Sequence, residues 1–492
     1  MTSRPTPELP TQVVETHISV LFFHGERVYK LHKPIKFEFV DFQDREARRQ
    51  DCEREVRLNR RLAPDVYLGV ADIEMEGRPL DHMVVMRRMP DDRRLTSLLS
   101  RHPDDRSWVG PLASTMARFH AQADRSPSIS AEGTADRLRS RWASDFGECD
   151  SFVGPFLDVD CEAEIRLLVE QWIGGRTQLL ESRVAAGRVC DGHGDLQADD
   201  IYCLDDGVRV LDCLEFSDTL RHCDVAADVA FLVMDLERLG HGDAAVDFLA
   251  AYQASADDSA CPSLVDHYIA ARAYVRAKVT CLRAEQGVEG AATEARRLQA
   301  LALRHLRRAQ VRLVLVGGLP GTGKSTVAAG IGAAHQWQVL RSDELRRRLT
   351  TAVPDGGGLF TGRYDADSTR EGYETLLRTA ERSLAFGESV VLDASWTDGR
   401  WRTAATEVAD RTGSELVTLY CEADEQVAVQ RIEERRAEGS DISEATPEVR
   451  TAMRRVVDPW HAAASIDTSS MTPEQAVAAA LDVLVRLGAS LG

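Results

Sequence analysis

The sequence has no apolar run long enough to cross a membrane, and its N-terminal segment is polar, without the apolar core of a signal peptide. It also has no C-x-x-C pair, although it contains ten cysteines. Three of these, Cys203, Cys213 and Cys223, lie in or beside apolar runs and are predicted to be small core residues. Scattered cysteines are typical of a reducing compartment, so we expect a cytoplasmic protein.

Positive charge is also scarce. The 60 lysine and arginine residues are outnumbered by 79 aspartate and glutamate residues, which gives a net charge of −19. This balance argues against a general nucleic-acid or anionic-membrane binder, but it leaves room for a small phosphorylated substrate held by a local arginine cluster. Only five of the basic residues are lysines. Because a compact ammonium on a flexible stem suits phosphate, Lys324 and the lysine cluster at residues 30–36 are candidates for phosphate contacts.

Residues 311–330 contain the clearest motif of the chain. Apolar residues 311–316 predict a buried parallel strand, "GLPGTGKS" then fits G-x-x-x-x-G-K-[ST], and a helix follows. In this context the backbone N–H groups close around a polyphosphate, Lys324 reaches its β and γ oxygens, and Ser325 binds Mg²⁺. The alternative is an ordinary glycine turn. The predicted ATP-binding residues are Gly318, Gly321, Thr322, Gly323, Lys324, Ser325 and Thr326.

The N-terminal part predicts a β-hairpin around residues 24–25, a charged helix over residues 44–64 and further strands over residues 67–74 and 82–86. This order of elements is the outline of a protein-kinase N-terminal lobe, in which a strand lysine pairs with a helix glutamate and holds the α and β phosphates. Lys30 and Glu55 are our candidates for that pair. Each can also be a solvated surface charge, and a G-x-G-x-x-G loop is absent.

A second motif lies in residues 190–240. "HGDL" places Asp195 five residues before Asp200, and a predicted strand then leads to Asp212. This is the spacing of the kinase catalytic loop, in which Asp195 would accept the proton of the substrate hydroxyl while Asp200 and Asp212 bind a metal ion. The alternative is an unrelated acidic turn. Nearby, Glu215 and Asp228 can contact substrate or support the fold, and for Asp224 we favour a helix cap.

This second motif resembles the aminoglycoside-phosphotransferase family of small-molecule kinases. The order of elements is similar over roughly residues 15–305, and the specific motifs lie in residues 193–228. The resemblance implies a two-lobed protein-kinase-like fold. Two positions depart from the family: Gln197 replaces the usual histidine, and Asp200 replaces the usual asparagine. A carboxylate at position 200 can still bind Mg²⁺, but its added charge can weaken nucleotide binding or demand an extra cation.

In the C-terminal part, "RSDELR" is predicted to place Asp343 at the end of the second strand, across the γ-phosphate from Lys324, as a general base or merely as a helix cap. Asp393 ends a further buried strand and is the candidate metal ligand. A later basic helix carries Arg431 and Arg435, which can clamp the transferring phosphate or lie on an amphipathic surface helix. Two more candidates are assigned to the acceptor pocket, Arg363 and Tyr364.

"GLPGTGKST", "RSDELR" and "VVLDASW" resemble P-loop kinases of the zeta-toxin and polynucleotide-kinase-like group, over about residues 309–492. The resemblance implies a three-layer α/β domain around a parallel sheet. At 492 residues the chain is long enough for two or three domains. We therefore predict a kinase-like domain over residues 1–308 and a P-loop kinase domain over residues 309–492.

Together these observations predict an ATP-dependent phosphotransferase with two ATP·Mg²⁺ sites and small-molecule hydroxyl acceptors, with no membrane partner and no nucleic-acid partner. Alternatively, the N-terminal half senses a nucleotide or ligand, or serves as a scaffold. The C-terminal half could instead phosphorylate a nucleotide or polynucleotide 5′-hydroxyl, although its 20 basic and 27 acidic residues, a balance of −7, disfavour a long nucleic-acid track. A mechanical ATPase lacks any sign of oligomer-forming elements. The acceptors and the oligomeric state stay open.

Overall fold

A computed structural model describes residues 12–15, 18–37, 40–349, 366–438 and 446–489. The chain divides into two compact units, each built from three segments of the sequence. Unit 1 comprises residues 1–148, 181–260 and 268–302, and unit 2 comprises residues 149–180, 261–267 and 303–492. The single sequence boundary near residue 308 stays a prediction. None of the helices in the described ranges is both long and apolar enough to span a membrane.

The strands follow one another along the chain as β1 (Gln12–Glu15), β2 (Ser19–His24), β3 (Arg27–His32), β4 (Lys36–Phe37), β5 (Val40–Asp41), β6 (Tyr67–Met75), β7 (Arg78–Arg87), β8 (Val189–Asp191), β9 (Ile201–Leu204), β10 (Gly207–Val210), β11 (His222–Asp224), β12 (Arg312–Gly317), β13 (Gln338–Arg341), β14 (Val390–Asp393), β15 (Glu415–Glu422) and β16 (Ala464–Asp467).

The α-helices are α1 (Arg45–Asn59), α2 (Leu95–Arg101), α3 (Val109–Gln122), α4 (Pro127–Ala131), α5 (Ala135–Cys149), α6 (Val159–Gly175), α7 (Thr177–Ala185), α8 (Asp218–Arg221), α9 (Val225–Arg238), α10 (Gly242–Ala256), α11 (Pro262–Glu285), α12 (Ala291–Ala309), α13 (Lys324–His335), α14 (Ser342–Leu349), α15 (Ala366–Ala385), α16 (Gly399–Arg411), α17 (Glu425–Glu438), α18 (Pro447–Arg454) and α19 (Pro473–Ala489). Short 3-10 turns cover Asp91–Arg93, Asp150–Phe152 and Ala198–Asp200.

Unit 1 begins with an antiparallel sheet of order β1-β2-β3-β7-β6. The predicted hairpin is the β2–β3 pair, which turns at Gly25 with a φ of 56°. Helix α1 packs against this sheet through Cys52 and Val56, which form one apolar cluster with residues of β3, β6 and β7. The helix ends at Asn59 rather than at the predicted residue 64, because the following turn buries Ala63 on the way to β6.

The rest of unit 1 is mainly helical. Helix α9 is buried along most of its length, and Asp224 caps its N-terminus by accepting from the Ala226 backbone N–H, as predicted. Asp224 also shares the guanidinium of Arg183 with Asp258, at 2.6 and 2.8 Å from Nη2. All three side chains are buried, so the charge balance of the two carboxylates depends mainly on Arg183, with Arg188 3.9 Å from Asp258 as a second, more distant cation.

Unit 2 contains a parallel sheet of order β13-β14-β12-β15-β16. Central strand β12 is buried on both faces: Leu313 and Leu315 join one apolar cluster, and Val314 and Val316 join another. This two-sided burial explains the unbroken apolar run in the sequence. Helices cover both faces, so the predicted three-layer P-loop architecture is confirmed. The predicted multidomain fold class, with helices and strands in both parts of the chain, is also confirmed.

Helix α6 also belongs to unit 2. Helices α6 and α7 are separated at Arg176, whose buried guanidinium donates from Nη1 to the backbone carbonyls of Gly175 and Thr412, each at 2.8 Å. Trp172 donates to Ser263 Oγ at 2.7 Å, which in turn donates to a backbone carbonyl at the end of α12. The end of α6 is therefore fixed to the P-loop body by buried hydrogen bonds.

Candidate functional sites

In unit 1, the predicted lysine–glutamate pair is formed. Lys30 of β3 lies 3.0 Å from Glu55 of α1, measured from Nζ to Oε1, and Glu55 is fully buried. Glu53 instead points outward and pairs with Arg49, which excludes it as the partner. Burial acts to lower the pKa of Lys30, but the surrounding carboxylates, led by Glu55, outweigh it and raise that pKa well above its usual value. The lysine is therefore charged and fixed.

Two titratable side chains lie beside this pair: Glu215, which the sequence offered as a substrate contact or structural carboxylate, and His32, which the sequence did not single out. Glu215 lies 3.8 Å from Lys30 Nζ, and burial raises the pKa of this carboxyl to about 8 despite the opposing effect of the lysine. His32 Nε2 lies 3.6 Å from the second oxygen of Glu55 and 3.4 Å from Asp51. His32 lies two residues after Lys30 in the sequence, and Glu215 lies three residues after Asp212. Only the fold brings these two segments together.

The "HGDL" loop follows β8 and is held by Asp228 of α9. The carboxylate accepts from the backbone N–H groups of His193 and Gly194 at 2.7 and 2.8 Å, and its Oδ2 lies 3.0 Å from His120 Nε2. Gly194 has a φ of 87°, the left-handed conformation that glycine tolerates. Asp228 is thus a structural support of the loop, and His120 is a buried member of this network.

The loop presents Asp195 next to two further carboxylates, Asp200 and Asp212. Burial raises the pKa of Asp195 to about 6; Arg276 opposes this rise, Asp212 adds to it, and Arg272 opposes it. Burial also raises the pKa of Asp200, and the charges of Asp212 and Asp195 raise it further. The three predicted carboxylates are therefore close together, as the spacing of the motif implies.

These carboxylates fit a hard cation. Asp212 adopts a left-handed backbone with a φ of 61°, and its Oδ1 lies 3.8 Å from Lys30 Nζ. Within the described ranges, no group of three or more acidic, histidine or cysteine side chains has metal-binding geometry. Two carboxylates that repel one another, Asp200 and Asp212, match a Mg²⁺ ion that takes its remaining ligands from phosphate and water.

In unit 2, the P-loop has the predicted strand–loop–helix context. Gly318, Gly321 and Gly323 have φ values of 145°, 84° and 80°. A Cβ at Gly321 would lie 2.4 Å from the backbone oxygen of Ala428, so only glycine fits there. Gly323 is the N-cap of α13, and Lys324 opens that helix. The seven predicted P-loop residues thus lie within residues 318–326 around the helix N-terminus, where backbone N–H groups favour phosphate.

The residue at the end of the second strand, next to the predicted metal site of the P-loop, is not the one expected from the sequence. Strand β13 ends at Arg341, which is in register with Asp393 of β14, whereas Asp343 lies in the first turn of α14. Arg341 Nε donates to Asp393 Oδ2 at 3.2 Å, and its Nη2 lies 3.5 Å from Ser325 Oγ. Asp393 Oδ1 is buried without a hydrogen-bond partner. This orphaned oxygen beside the Ser325 hydroxyl fits Mg²⁺.

The arginines proposed as a phosphate clamp lie on α17. Arg431 donates to the hydroxyl and the carbonyl of Thr468 at 3.0 and 2.8 Å, and that hydroxyl donates to the P-loop carbonyl of Thr322 at 3.0 Å. Arg431 therefore supports the loop through Thr468, and a direct catalytic role for it and for Arg435 stays a prediction. Sequence reasoning missed Arg450, which donates to the Pro320 carbonyl at 2.6 Å. Two predicted acceptor-pocket residues lie outside the described residues: Arg363 and Tyr364.

The folds and motifs define a chain that joins a unit with the Lys30–Glu55 pair and the "HGDL" loop to a unit with a P-loop. A family model described as an AAA domain matches residues 313–460. Among solved structures, aminoglycoside 2′-phosphotransferase-IIIa matches 61% of this chain and 94% of its own, at 15% identity and a TM-score of 0.41. A gluconokinase from Sinorhizobium meliloti matches 37% of this chain and 95% of its own, at 17% identity and a TM-score of 0.28.

The uncharacterized protein Rv2004c of Mycobacterium tuberculosis is 39% identical over 468 residues, which is 94% of this chain and 93% of that protein. The chain belongs to the same protein family as Rv2004c. The match of the family model to residues 313–460 agrees with the P-loop domain predicted for this part of the chain.

Proposed function

We propose that this protein is a phosphotransferase with two separate ATP·Mg²⁺ sites, one in each unit, each acting on a hydroxyl group of a small molecule. The observation that carries the proposal is the charge arrangement in unit 1: Lys30 is paired with Glu55 at 3.0 Å and faces Asp212 at 3.8 Å, and Asp212 in turn acts on the half-buried Asp195. A P-loop in unit 2 supplies an independent nucleotide site. None of the ten cysteines, all of which lie in the described part of the chain, forms a disulfide, which supports a cytoplasmic location.

In unit 1, Lys30 would hold the α and β phosphates, while Glu55 keeps its ammonium in place. Asp195 would orient the acceptor hydroxyl and take its proton as the hydroxyl oxygen attacks the γ-phosphorus; the bond to the β–γ bridging oxygen breaks, and ADP leaves. Asp200 and Asp212 would hold Mg²⁺, which neutralises phosphate charge when bound. The pKa of about 6 at Asp195 suits a group that must gain a proton near neutral pH.

In unit 2, the backbone N–H groups of the P-loop and Lys324 would hold the β and γ phosphates. Ser325 and Asp393 would hold Mg²⁺. Asp343 stays the candidate general base, and its place in the first turn of α14 puts it two residues beyond Arg341. Charge neutralisation by a fixed set of cations and N–H donors is the main source of catalysis in such sites.

A second candidate function for unit 1 is that it senses a nucleotide without transferring its phosphate, and the short β2–β3 turn favours this function. The β2–β3 hairpin turns within two residues at Gly25, so it offers no long glycine loop to cover the phosphates. The extra charge of Asp200 also opposes binding of a polyphosphate. A sensor would still bind ATP through Lys30 but would transfer no phosphate from unit 1.

Transfer of labelled γ-phosphate from ATP into a fractionated small-molecule extract tests both functions. The full chain is compared with Asp195→Ala and Lys324→Ala. Two active sites predict that each variant loses a different labelled product. Loss of label only with Lys324→Ala would refute a kinase in unit 1 and support the sensor. Labelling of an oligonucleotide 5′ end at physiological salt would instead identify the acceptor of unit 2 as a nucleic acid.

A further inference from the structure

Arg272 and Arg276 are four residues apart in helix α11, so they lie on the same face of that helix. This face packs against the start of α9. Arg272 Nε donates to the backbone carbonyl of Ala227 at 3.1 Å, and its guanidinium lies 5.1 Å from the centre of the Phe231 ring. Arg276 is one turn further along α11 and is half-buried. The contact with Ala227 fixes where this pair of arginines sits.

That position is next to the "HGDL" loop of unit 1. Ala227 directly precedes Asp228, whose carboxylate accepts from the backbone N–H groups of the two residues before Asp195. The arginine face of α11 is therefore directed at the end of the loop that carries Asp195. The electrostatics agree, because Arg276 and, less strongly, Arg272 oppose the burial that raises the pKa of Asp195.

Both arginines act on Asp195 through space, but neither forms an ion pair within 4 Å in the described part of the chain, and Arg276 Nε is buried without a hydrogen bond. The next basic residue of the same helix behaves differently: Lys278 lies 2.6 Å from Asp145 and 3.0 Å from Glu148. In a chain with 79 acidic residues, two half-buried guanidiniums with no carboxylate within salt-bridge distance are unexpected. A guanidinium is planar and forked and recognises carboxylate or phosphate groups, so the arrangement indicates an anionic ligand.

We propose that the acceptor of unit 1 is an anionic alcohol, a hydroxyl compound that carries a carboxylate or a phosphate group. Arg272 and Arg276 bind its anionic group while Asp195 receives the proton of its hydroxyl. The inference rests on the proposed kinase function of this site and names the class of its substrate. A cationic acceptor would be repelled by both guanidiniums, and a neutral one would leave them unpaired.

The test uses the full chain with Lys324→Ala, so that only unit 1 can transfer phosphate. A metabolite extract is separated by ion exchange into anionic, neutral and cationic pools, and each pool is incubated with labelled ATP and Mg²⁺. We expect label in the anionic pool. Arg276→Gln should reduce it about tenfold or more, Arg276→Lys should restore part of it, and Arg283→Gln, an exposed arginine of the same helix, should change nothing. Label mainly in the neutral or cationic pool would overturn the proposal.

A second measurement separates this inference from the kinase function itself. Phenylglyoxal modifies accessible arginines, and mass spectrometry reports each site. We expect the anionic pool to protect Arg272 and Arg276 but not Arg283. If no pool is labelled yet this protection is seen, the kinase function fails and the anion site stands; if the anionic pool gives no protection, the anion site is refuted. Phosphatase treatment of the pool tells the two sources apart, because only a phosphate-bearing acceptor is lost.

Discussion

Two adjacent glycines at the end of α6 should respond in opposite ways to the same substitution. A Cβ added at Gly175 would lie 1.9 Å from the backbone oxygen of Thr412 and 2.6 Å from its carbonyl carbon, whereas a Cβ at Gly174 meets nothing within 4 Å. Neither glycine has a positive φ, so alanine is compatible with both backbones. The pair therefore isolates the contact between α6 and residue 412.

The expected magnitudes follow from these distances. Alanine in place of a helical glycine gains about 0.5–1 kcal/mol, so Gly174→Ala should stabilise by that amount. At Gly175 the neighbouring atoms are backbone, which cannot rotate away, and overpacking of this kind costs about 1–3 kcal/mol. The shift would also disturb the hydrogen bond from Arg176 to Thr412, which is 2.8 Å long. We therefore expect Gly175→Ala to be less stable than Gly174→Ala by about 2 kcal/mol or more.

Because the two units need not unfold together, hydrogen exchange of peptides covering residues 408–417 is a better assay than a global melting curve. Exchange in these peptides should accelerate about tenfold or more in Gly175→Ala and should be unchanged or slower in Gly174→Ala. Equal exchange in the two variants would show that the end of α6 does not pack on residue 412. The assignment of residues 149–180 to unit 2 would then be wrong.

Three further changes test the sites. Asp228→Asn should cost about 1–3 kcal/mol of stability because one loop N–H loses its acceptor, while the exposed Asp243→Asn should cost nothing. Burial alone would raise the pKa of Asp228, but its hydrogen bonds and neighbouring histidines lower it. The difference in urea stability between the wild type and Asp228→Asn should therefore be present above pH of about 4 and vanish as the pH falls further. Arg341→Ala should lower the Mg²⁺ concentration needed for ATP binding about tenfold, because a competing cation leaves Asp393; an unchanged Mg²⁺ dependence in calorimetry would contradict this. Arg183→Leu leaves the buried Asp224 without its cation and leaves the buried Asp258 with only Arg188, at 3.9 Å, so it should cost about 3–5 kcal/mol in urea unfolding of unit 1; a loss below about 1 kcal/mol would show that the charges are screened.

The sequence was sufficient where function depends on neighbouring residues. The P-loop is one continuous segment whose glycines, lysine and serine occupy fixed positions, and its flanking strand is buried on both faces, which leaves an unbroken apolar run. The "HGDL" motif and the helix cap at Asp224 are local for the same reason, since turns and caps are made by hydrogen bonds within a few residues. Lys30 could be proposed because its strand and the following helix come in a known order.

Tertiary structure decided what depends on pairing between distant segments. The choice of Glu55 over Glu53 follows from which face of α1 packs on the sheet, and the position of Arg341 beside Asp393 follows from the register of β13 and β14. The arginine pair of α11 reaches the "HGDL" loop, which precedes it by about eighty residues in the sequence, only through packing on α9. Sequence patterns record which side chains are buried and which turns are tight; which buried faces meet is fixed by packing of the whole chain, so these partners could not be read from spacing alone.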